Sequence, residues 1–295
     1  MSFSGTVKEE LAENTAGARH CQLAEFAAII EFCGVIGKTK EGKDVIGISS
    51  ENPSVVKKCF TLLKKTFNIV SSVDLENEES VWNIIQGLKL MDKGTFRGLN
   101  VPASPMLLKN SCCKRAFLRG AYLCVGSMSD PNKGYHLELV CETEEQAVQI
   151  VGLLADFDIE AKTIIRKKYH IVYLKESSAI VDFLNVIEAH VAMMEFENLR
   201  ILKDVRNTVN RRVNCETANI SKTVNAAAKQ IEEIERIRDT VGFKNLPPNL
   251  REMAEVRLEH PDATLSELGE YLSPKVGKSG VNHRLRRLSE IAERI

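Results

Sequence analysis

The sequence has no run of 18 apolar residues, so it offers nothing of the kind a membrane-crossing helix requires. Its opening segment, Met1 to Leu11, carries Lys8, Glu9 and Glu10 and lacks the apolar stretch of a secretory signal. A disulfide framework is missing too. The eight cysteines (Cys21, Cys33, Cys59, Cys112, Cys113, Cys124, Cys141 and Cys215) follow no framework spacing. Cys33, Cys59 and Cys124 sit inside apolar runs, where a reduced cysteine acts as a small hydrophobe. The expected compartment is therefore the cytosol. Adjacent Cys112 and Cys113 do not have a zinc spacing, and a packing role is expected of them. Asp130-Pro-Asn-Lys-Gly134 is a turn rather than a phosphate loop, because no helix opens after it with Gly-Lys-Ser/Thr. Tryptophan is almost absent, and the single Trp82 is expected in the core. His136, His170 and His190 are scattered and read as structural. No metal and no cofactor is expected.

Net charge is also absent: 40 basic residues balance 40 acidic ones. Their distribution is uneven. Residues 199–295 hold 18 basic and 14 acidic side chains, leaving 22 and 26 before them. Residues 271–289 carry five basic residues and no acid, and Arg200 to Lys229 carries seven against Asp204 and Glu216. Basic stripes on a neutral chain suggest a polyanionic partner.

A chain of 295 residues can build two cored domains. Its first 200 residues contain a repeat. Phe26 to Gly34 leads to a turn, Lys38 to Gly42, a β-like run, Val45 to Ile48, and a helix pattern, Ser54 to Phe67. Leu118 to Gly126 leads to the turn Asp130 to Gly134, the run Tyr135 to Cys141, and a helix pattern, Glu144 to Phe157. Gly34/Gly126, Glu51/Glu142 and Phe67/Phe157 are offset by 92, 91 and 90 residues. That period is too long for a solenoid and fits a duplicated α/β unit with a pseudo-two-fold axis. The second copy is expected to close with strands at 161–168 and 170–175 and a helix over 177–195. In the first copy, strands are expected at 71–74 and 81–85.

A basic helix is expected from Glu195 to Asn214. Ile220, Val224, Ala227, Ile231 and Ile234 then recur at helical spacing, followed by a helix from Leu250 to Leu258. Thr264-Leu-Ser-Glu267 has capping-box form and should start a helix burying Leu265, Leu268 and Leu272. Small Gly269 would admit a second helix closely. After Lys275-Val-Gly-Lys278, Ser279 is expected as the N-cap of a last helix burying Val281, Leu285, Leu288 and Ile291. Its other face would show Asn282, His283, Arg284, Arg286 and Arg287. This is the composition of a recognition helix, since Arg can fork onto guanine edges and Asn onto adenine while Lys and Arg hold phosphates. The helix start itself could receive a phosphate. A basic surface helix of a small bundle would have the same composition.

Both repeat segments resemble the LAGLIDADG motif of homing endonucleases, in which two helices pack side by side through small residues. Ala27, Ala28 and Gly34 supply these in one copy, and Gly120, Ala121 and Gly126 in the other. In that family a carboxylate at the eighth position of each helix holds metal. Here those positions are Cys33 and Val125. Glu31 lies about 200° around the helix from Cys33 and cannot substitute.

The whole chain resembles the WhiA family of bacterial regulators. The resemblance rests on Met1-Ser-Phe-Ser-Gly-Thr-Val-Lys-Glu-Glu-Leu11, Leu118-Arg-Gly120, Asn210-Arg-Arg-Val-Asn214 with Ala218-Asn219, and Lys278-Ser-Gly-Val-Asn-His-Arg-Leu-Arg-Arg287. It implies an α+β chain: a degenerate LAGLIDADG-like domain over 1–198 (copies at about 20–105 and 114–198), a basic linker helix over 199–214, and an all-α helix-turn-helix domain over 215–295 (motif at about 263–295). It implies a non-enzymatic regulator of cell division and chromosome segregation, or of sporulation transcription, at the nucleoid. The implied partner is double-stranded DNA, with another transcription or cell-division protein as a second partner through the N-terminal domain. Lys275, Lys278, Ser279, Asn282, His283, Arg284, Arg286 and Arg287, with Arg211 and Arg212, are the expected DNA contacts. An active endonuclease and a protein scaffold with incidental DNA binding stand as alternatives.

Overall fold

In a computed structural model, which describes residues 2–38, 44–70 and 77–295, the chain opens with helix α1 (Phe3–Glu13). Ser2 caps it, its hydroxyl accepting from the Gly5 amide at 3.2 Å. Helix α2 (Arg19–Cys33) follows, then strands β1 (Gly34–Lys38) and β2 (Asp44–Ile48) and helix α3 (Pro53–Phe67). Asn52 caps α3 and Pro53 takes its first position, where a missing N–H is harmless. Helix α4 (Glu78–Gly87) and the short pair β3 (Met91–Asp92) and β4 (Thr95–Phe96) complete the first copy. Residues 39–42 of the expected turn and the expected strand at 71–74 lie outside the described residues.

The second copy repeats the order: α5 (Ser111–Val125), β5 (Gly126–Met128), β6 (Leu137–Cys141), α6 (Glu144–Ala155), β7 (Lys162–Arg166), β8 (Tyr169–Leu174) and α7 (Ser177–Val186). Thr143 and Gln146 form a capping box at the start of α6. The sheet of this copy is antiparallel in the order β5-β6-β8-β7, with Leu139 opposite Val172 and Cys141 opposite His170. Leu137, Leu139 and Cys141 are buried while Glu138 and Val140 are only partly so, the period of two that a one-sided sheet imposes.

Two expectations for this unit need correction. Residues 81–85 are helical within α4, because Asn77 caps Glu79 at 3.0 Å and Glu78 and Glu79 occupy the favourable first turn. Trp82, on that helix, is 48% exposed rather than core. The helix expected over 177–195 is broken after Val186: Glu188 takes a left-handed backbone (φ 63°), and a new helix, α8, starts at His190.

Helices α2 and α5 lie side by side, and Gly120 sets how closely. A Cβ at Gly120 would fall 2.6 Å from the Glu25 carbonyl oxygen and 3.0 Å from the Ala28 Cβ. Beside this crossing three buried charged groups, Arg119, Glu25 and Lys58, meet a fourth, the partly exposed Glu188. Arg119 forks onto Glu25, Nε to Oε1 at 2.9 Å and Nη2 to Oε2 at 3.0 Å, and its Nη1 reaches Glu188 at 2.6 Å. Lys58 sits 2.9 Å from Glu25, donates to the Leu11 carbonyl at 3.0 Å and also bonds the Asn14 carbonyl. Burial pulls the Lys58 ammonium below its ordinary range, and Glu25 works against that pull.

The chain divides into two units, Met1–Lys203 and Asp204–Ile295, and α8 (His190–Thr240) is continuous through the division. One helix thus takes in both the expected linker (199–214) and the first helix expected after it. The second unit adds α9 (Pro248–Glu259), α10 (Leu265–Tyr271) and α11 (Lys278–Ala292). Its core is Ile234 and Ile237 of α8 with Leu250, Met253, Leu268, Val281, Leu285 and Leu288. Ile220 and Val224, which recur at helical spacing with Ile234, are 64% and 60% exposed, so the part of α8 packed into this core begins later than its apolar periodicity. Among the described residues, no helix is long and apolar enough to cross a membrane.

Candidate nucleic-acid interface

Helix α10 starts as its sequence dictates. The Glu267 carboxylate accepts from the Thr264 amide at 2.7 Å, and the Thr264 hydroxyl accepts from the Glu267 amide at 3.4 Å. These bonds hold the Glu267 carboxyl below its ordinary range. A stacked pair, His260 on Tyr271 at 4.0 Å, joins the ends of α9 and α10. Gly269 is where the turn comes back: a Cβ there would lie 2.0 Å from the Val276 carbonyl oxygen and 3.4 Å from a Val281 methyl. The Val276 amide donates to the Gly269 carbonyl at 3.0 Å. The expected close approach is thus made mainly by the turn and only secondarily by the second helix.

Helix α11 begins two residues earlier than expected. Gly277 is the N-cap, Lys278 the first helical residue and Ser279 the second, so Ser279 makes no side-chain cap. The Gly280 amide donates to the Gly277 carbonyl at 2.9 Å, and the amides ahead of it point out of the helix end. Val281, Leu285, Leu288 and Ala292 are buried on one face. Ser279, His283 and Arg286 run along the opposite face at positions i, i+4 and i+7, flanked by Asn282 and Arg287, and all are exposed.

Arg284 does not belong to that outward face. Its side chain is 17% exposed, with Nη1 3.5 Å from Glu252 Oε2 and 3.4 Å from the Asn249 carbonyl of α9. At 100° per residue, position 284 falls on the edge of the buried stripe, which counting charges alone does not reveal. Arg286 and Arg287 share one acid, Glu290, at 3.3 and 3.1 Å. No carboxylate lies between Lys275 and Ser289 on the turn and helix. Lys275 pairs with Glu270.

A cleft between α8, α10 and α11 is lined by Lys222, Thr223, Lys278 and Asn282, with Arg257 and Gln230 at its base. Lys222 was not among the expected contacts; tertiary packing makes it line the same cleft as Lys278. Arg257 is buried, donates to the Ala263 carbonyl at 2.6 Å, and has its charge disfavoured by burial. Arg211 and Arg212 are exposed on α8, and Arg212 pairs with Glu216 at 3.0 Å.

In the first unit the C-terminal ends of α2 and α5 carry no carboxylate at the eighth positions. Cys33 is buried and shares a hydrogen bond with Cys124, which draws the Cys33 thiol down and pushes the Cys124 thiol up. Val125 is half-buried. Glu31 faces elsewhere: its Oε2 accepts from the Ala103 amide at 3.0 Å. Burial pushes its carboxyl to about 8, against the opposing effects of that amide and Arg97. A buried carboxyl held in its protonated form is a poor ligand for a hard cation.

Three family profiles match the chain in order: the WhiA N-terminal LAGLIDADG-like domain over residues 19–81, the WhiA LAGLIDADG-like domain over 114–206, and the WhiA C-terminal HTH domain over 209–292. A probable cell division protein WhiA of Lachnoclostridium phytofermentans is 48% identical, covering 99% of both chains. One of Alkaliphilus oremlandii is 46% identical over 100% of this chain and 98% of its own. The crystal structure of full-length DUF199/WhiA from Thermatoga maritima matches 100% of this chain and 99% of its own at a TM-score of 0.58 and 28% identity. Two LAGLIDADG-like copies followed by a helix-turn-helix domain, matched by relatives along the full length, make this α+β chain a member of the WhiA family.

Proposed function

We propose that this chain is a DNA-binding regulator of cell division that reads double-stranded DNA with α11 and has no nuclease activity. The observation that carries the reading is the outward face of α11. Ser279, Asn282, His283, Arg286 and Arg287 lie exposed on one side of a helix whose other side is fixed in the core. Such a face can enter a major groove, with Arg and Asn on base edges and Lys278, Lys275 and Lys222 near the backbone. The exposed Arg211 and Arg212 are further phosphate contacts in this reading. The curated relatives, named as probable cell division proteins, support the cellular role. Chromosome segregation and sporulation transcription are the finer processes it could serve at the nucleoid, in the cytoplasm, with a transcription or cell-division protein as second partner.

The test is a titration of labelled duplex DNA with the full chain and with fragment 1–198, at several salt concentrations. The full chain should bind with a steep salt dependence. The fragment, whose surplus charge is acidic, should shift little at physiological salt; binding by it as tight as the full chain's would overturn the assignment to α11. Supercoiled plasmid incubated with Mg²⁺ or Mn²⁺ addresses the endonuclease alternative. It should stay intact, because Cys33 and Val125 replace the two carboxylates that metal-dependent cleavage uses. Crosslinking of the protein to the genome would then name the sequences it occupies.

A further inference from the structure

The opposite ends of the paired helices, about 18 Å from Cys33 along α2, bring four metal-type donors together. His20 and Cys21 lie in the first turn of α2, and Cys112 and Cys113 in the first turn of α5. His20 Nδ1 is 3.2 Å from Cys113 Sγ, 3.3 Å from Cys21 Sγ and 4.0 Å from Cys112 Sγ. One donor atom from each of the four lies within 4.8 Å of all the others. Among the described residues this is the one such group of His, Cys, Asp or Glu. A tetrahedral zinc ion, with bonds of about 2.3 Å to sulfur and 2.0–2.1 Å to nitrogen, places its donors roughly 3.6–3.8 Å apart. The cluster is already on that scale.

We propose that His20, Cys21, Cys112 and Cys113 form a structural zinc site that staples the two copies together at the start of α2 and α5. The expectation from sequence was of no metal, because adjacent Cys112 and Cys113 do not have the spacing of a zinc motif. Spacing within one segment is the wrong measure here. His20 and Cys112 are 92 residues apart, and so are Cys21 and Cys113, the same offset as Gly34 and Gly126. Each copy contributes the same two positions, and the pseudo-two-fold axis brings the two pairs face to face.

The chemistry selects the ion. Three thiolates and an imidazole favour zinc over the hard cations, and four protein donors complete a tetrahedron, as structural sites do. Three thiolates, a neutral imidazole and Zn²⁺ sum to one negative charge. That charge would sit at two helix N-termini, neither of which has a side-chain cap, where the positive dipole ends favour it. Binding must release three thiol protons. Without an ion, burial holds the Cys21 thiol up at about 12 and the Cys113 thiol above its ordinary range, so the ion has to displace those protons.

The full chain, purified under reducing conditions without chelator, should contain one zinc per chain by elemental analysis. The metal-free protein should bind one Co²⁺ and show the thiolate charge-transfer and tetrahedral d–d bands. His20→Asn and Cys112→Ser alter exposed side chains and should leave the fold intact by circular dichroism. Each should weaken Co²⁺ and Zn²⁺ binding by more than the roughly hundredfold that losing even an outer-shell partner can cost. Zinc should raise the melting temperature of the parent chain and not of the double variant. The proposal fails if the reduced parent chain takes up no Co²⁺, or if both variants bind it as tightly as the parent. It fails equally if mass spectrometry finds these cysteines paired as disulfides in freshly purified, metal-free protein.

Discussion

Arg284 reaches back from α11 to Glu252 on α9, Nη1 to Oε2 at 3.5 Å, while Arg286 and Arg287, two and three residues on, face outward. Three arginines that look alike in the sequence therefore separate into one that ties α11 to α9 and two that face outward, paired with Glu290 of their own helix. Arg284→Ala should lower the melting temperature of the domain by the equivalent of about 1 kcal/mol, the scale of a partly exposed ion pair. Arg286→Ala and Arg287→Ala should leave the melt unchanged. If either reads a base, its loss should cost roughly 1–3 kcal/mol of binding and relax preference at one position. A thermal melt beside a DNA titration for each variant checks this. An Arg286 and Arg287 double Ala variant that stays folded and binds as before would remove α11 as the reader.

Glu290 holds both outward arginines by surface ion pairs. DNA has to draw them away from that carboxylate, so Glu290→Gln should tighten DNA binding a few-fold at low salt, with the gain shrinking as salt screens the competition. Anisotropy titrations at two ionic strengths measure it. Weaker binding by the variant would show that Glu290 orients the arginines rather than competing for them.

The helix-turn-helix depends on two packing positions. Leu285 is fully buried, and Leu285→Ala should destabilise the domain by roughly 2–5 kcal/mol through the cavity it leaves. Gly269→Ala should be harmful for the opposite reason. Its new methyl would meet a backbone oxygen, that of Val276 at 2.0 Å, which cannot swing aside as a side chain tip can. Denaturant unfolding of both variants checks these directions.

Glu31 makes stability depend on pH in an unusual direction for a carboxylate. Its carboxyl is raised from 4.5 to about 8, so the folded chain keeps a proton that the unfolded chain gives up. The stabilising effect is complete below about 4.5 and is lost as pH rises through about 8. Glu31→Gln keeps an oxygen for the Ala103 amide and should flatten the fall in stability across that window, by on the order of 2–4 kcal/mol at its upper end. Parallel melts at several pH values read the difference. Equal slopes for parent and variant would mean the group titrates normally.

Much of this was legible beforehand because strong local signals agree with tertiary packing. The capping box at Thr264 and the run ending at Cys141 both survive into the structure, the run as a strand. Val81 to Ile85 misled because β-branched and aromatic residues favour strands only weakly, whereas the Asn77 cap with Glu78 and Glu79 marks a helix start. The helical spacing of Ile220 and Val224 is real, but the core begins with Ile234, since a stripe does not say how far along the helix its partner extends. The break at Glu188 and the meeting of His20, Cys21, Cys112 and Cys113 have no local signal. Each depends on what packs across from it.

The fork between Arg119 and Glu25 also decides which halves can pair. By the offset of 92 residues, the counterpart of Glu25 is Phe117 and that of Arg119 is Ala27, so the duplicated helices are no longer alike at their crossing. Two first copies facing each other would bury a pair of acids with no guanidinium between them. Two second copies would bury a pair of guanidinium groups against phenyl rings. Glu25 would keep only Lys58 and Arg119 only Glu188, each losing its two-bond partner across the crossing, which disfavours either symmetric assembly. The ancestral symmetry survives in the backbone, but the side chains admit only the union of one half with the other, and that union is written into a single chain.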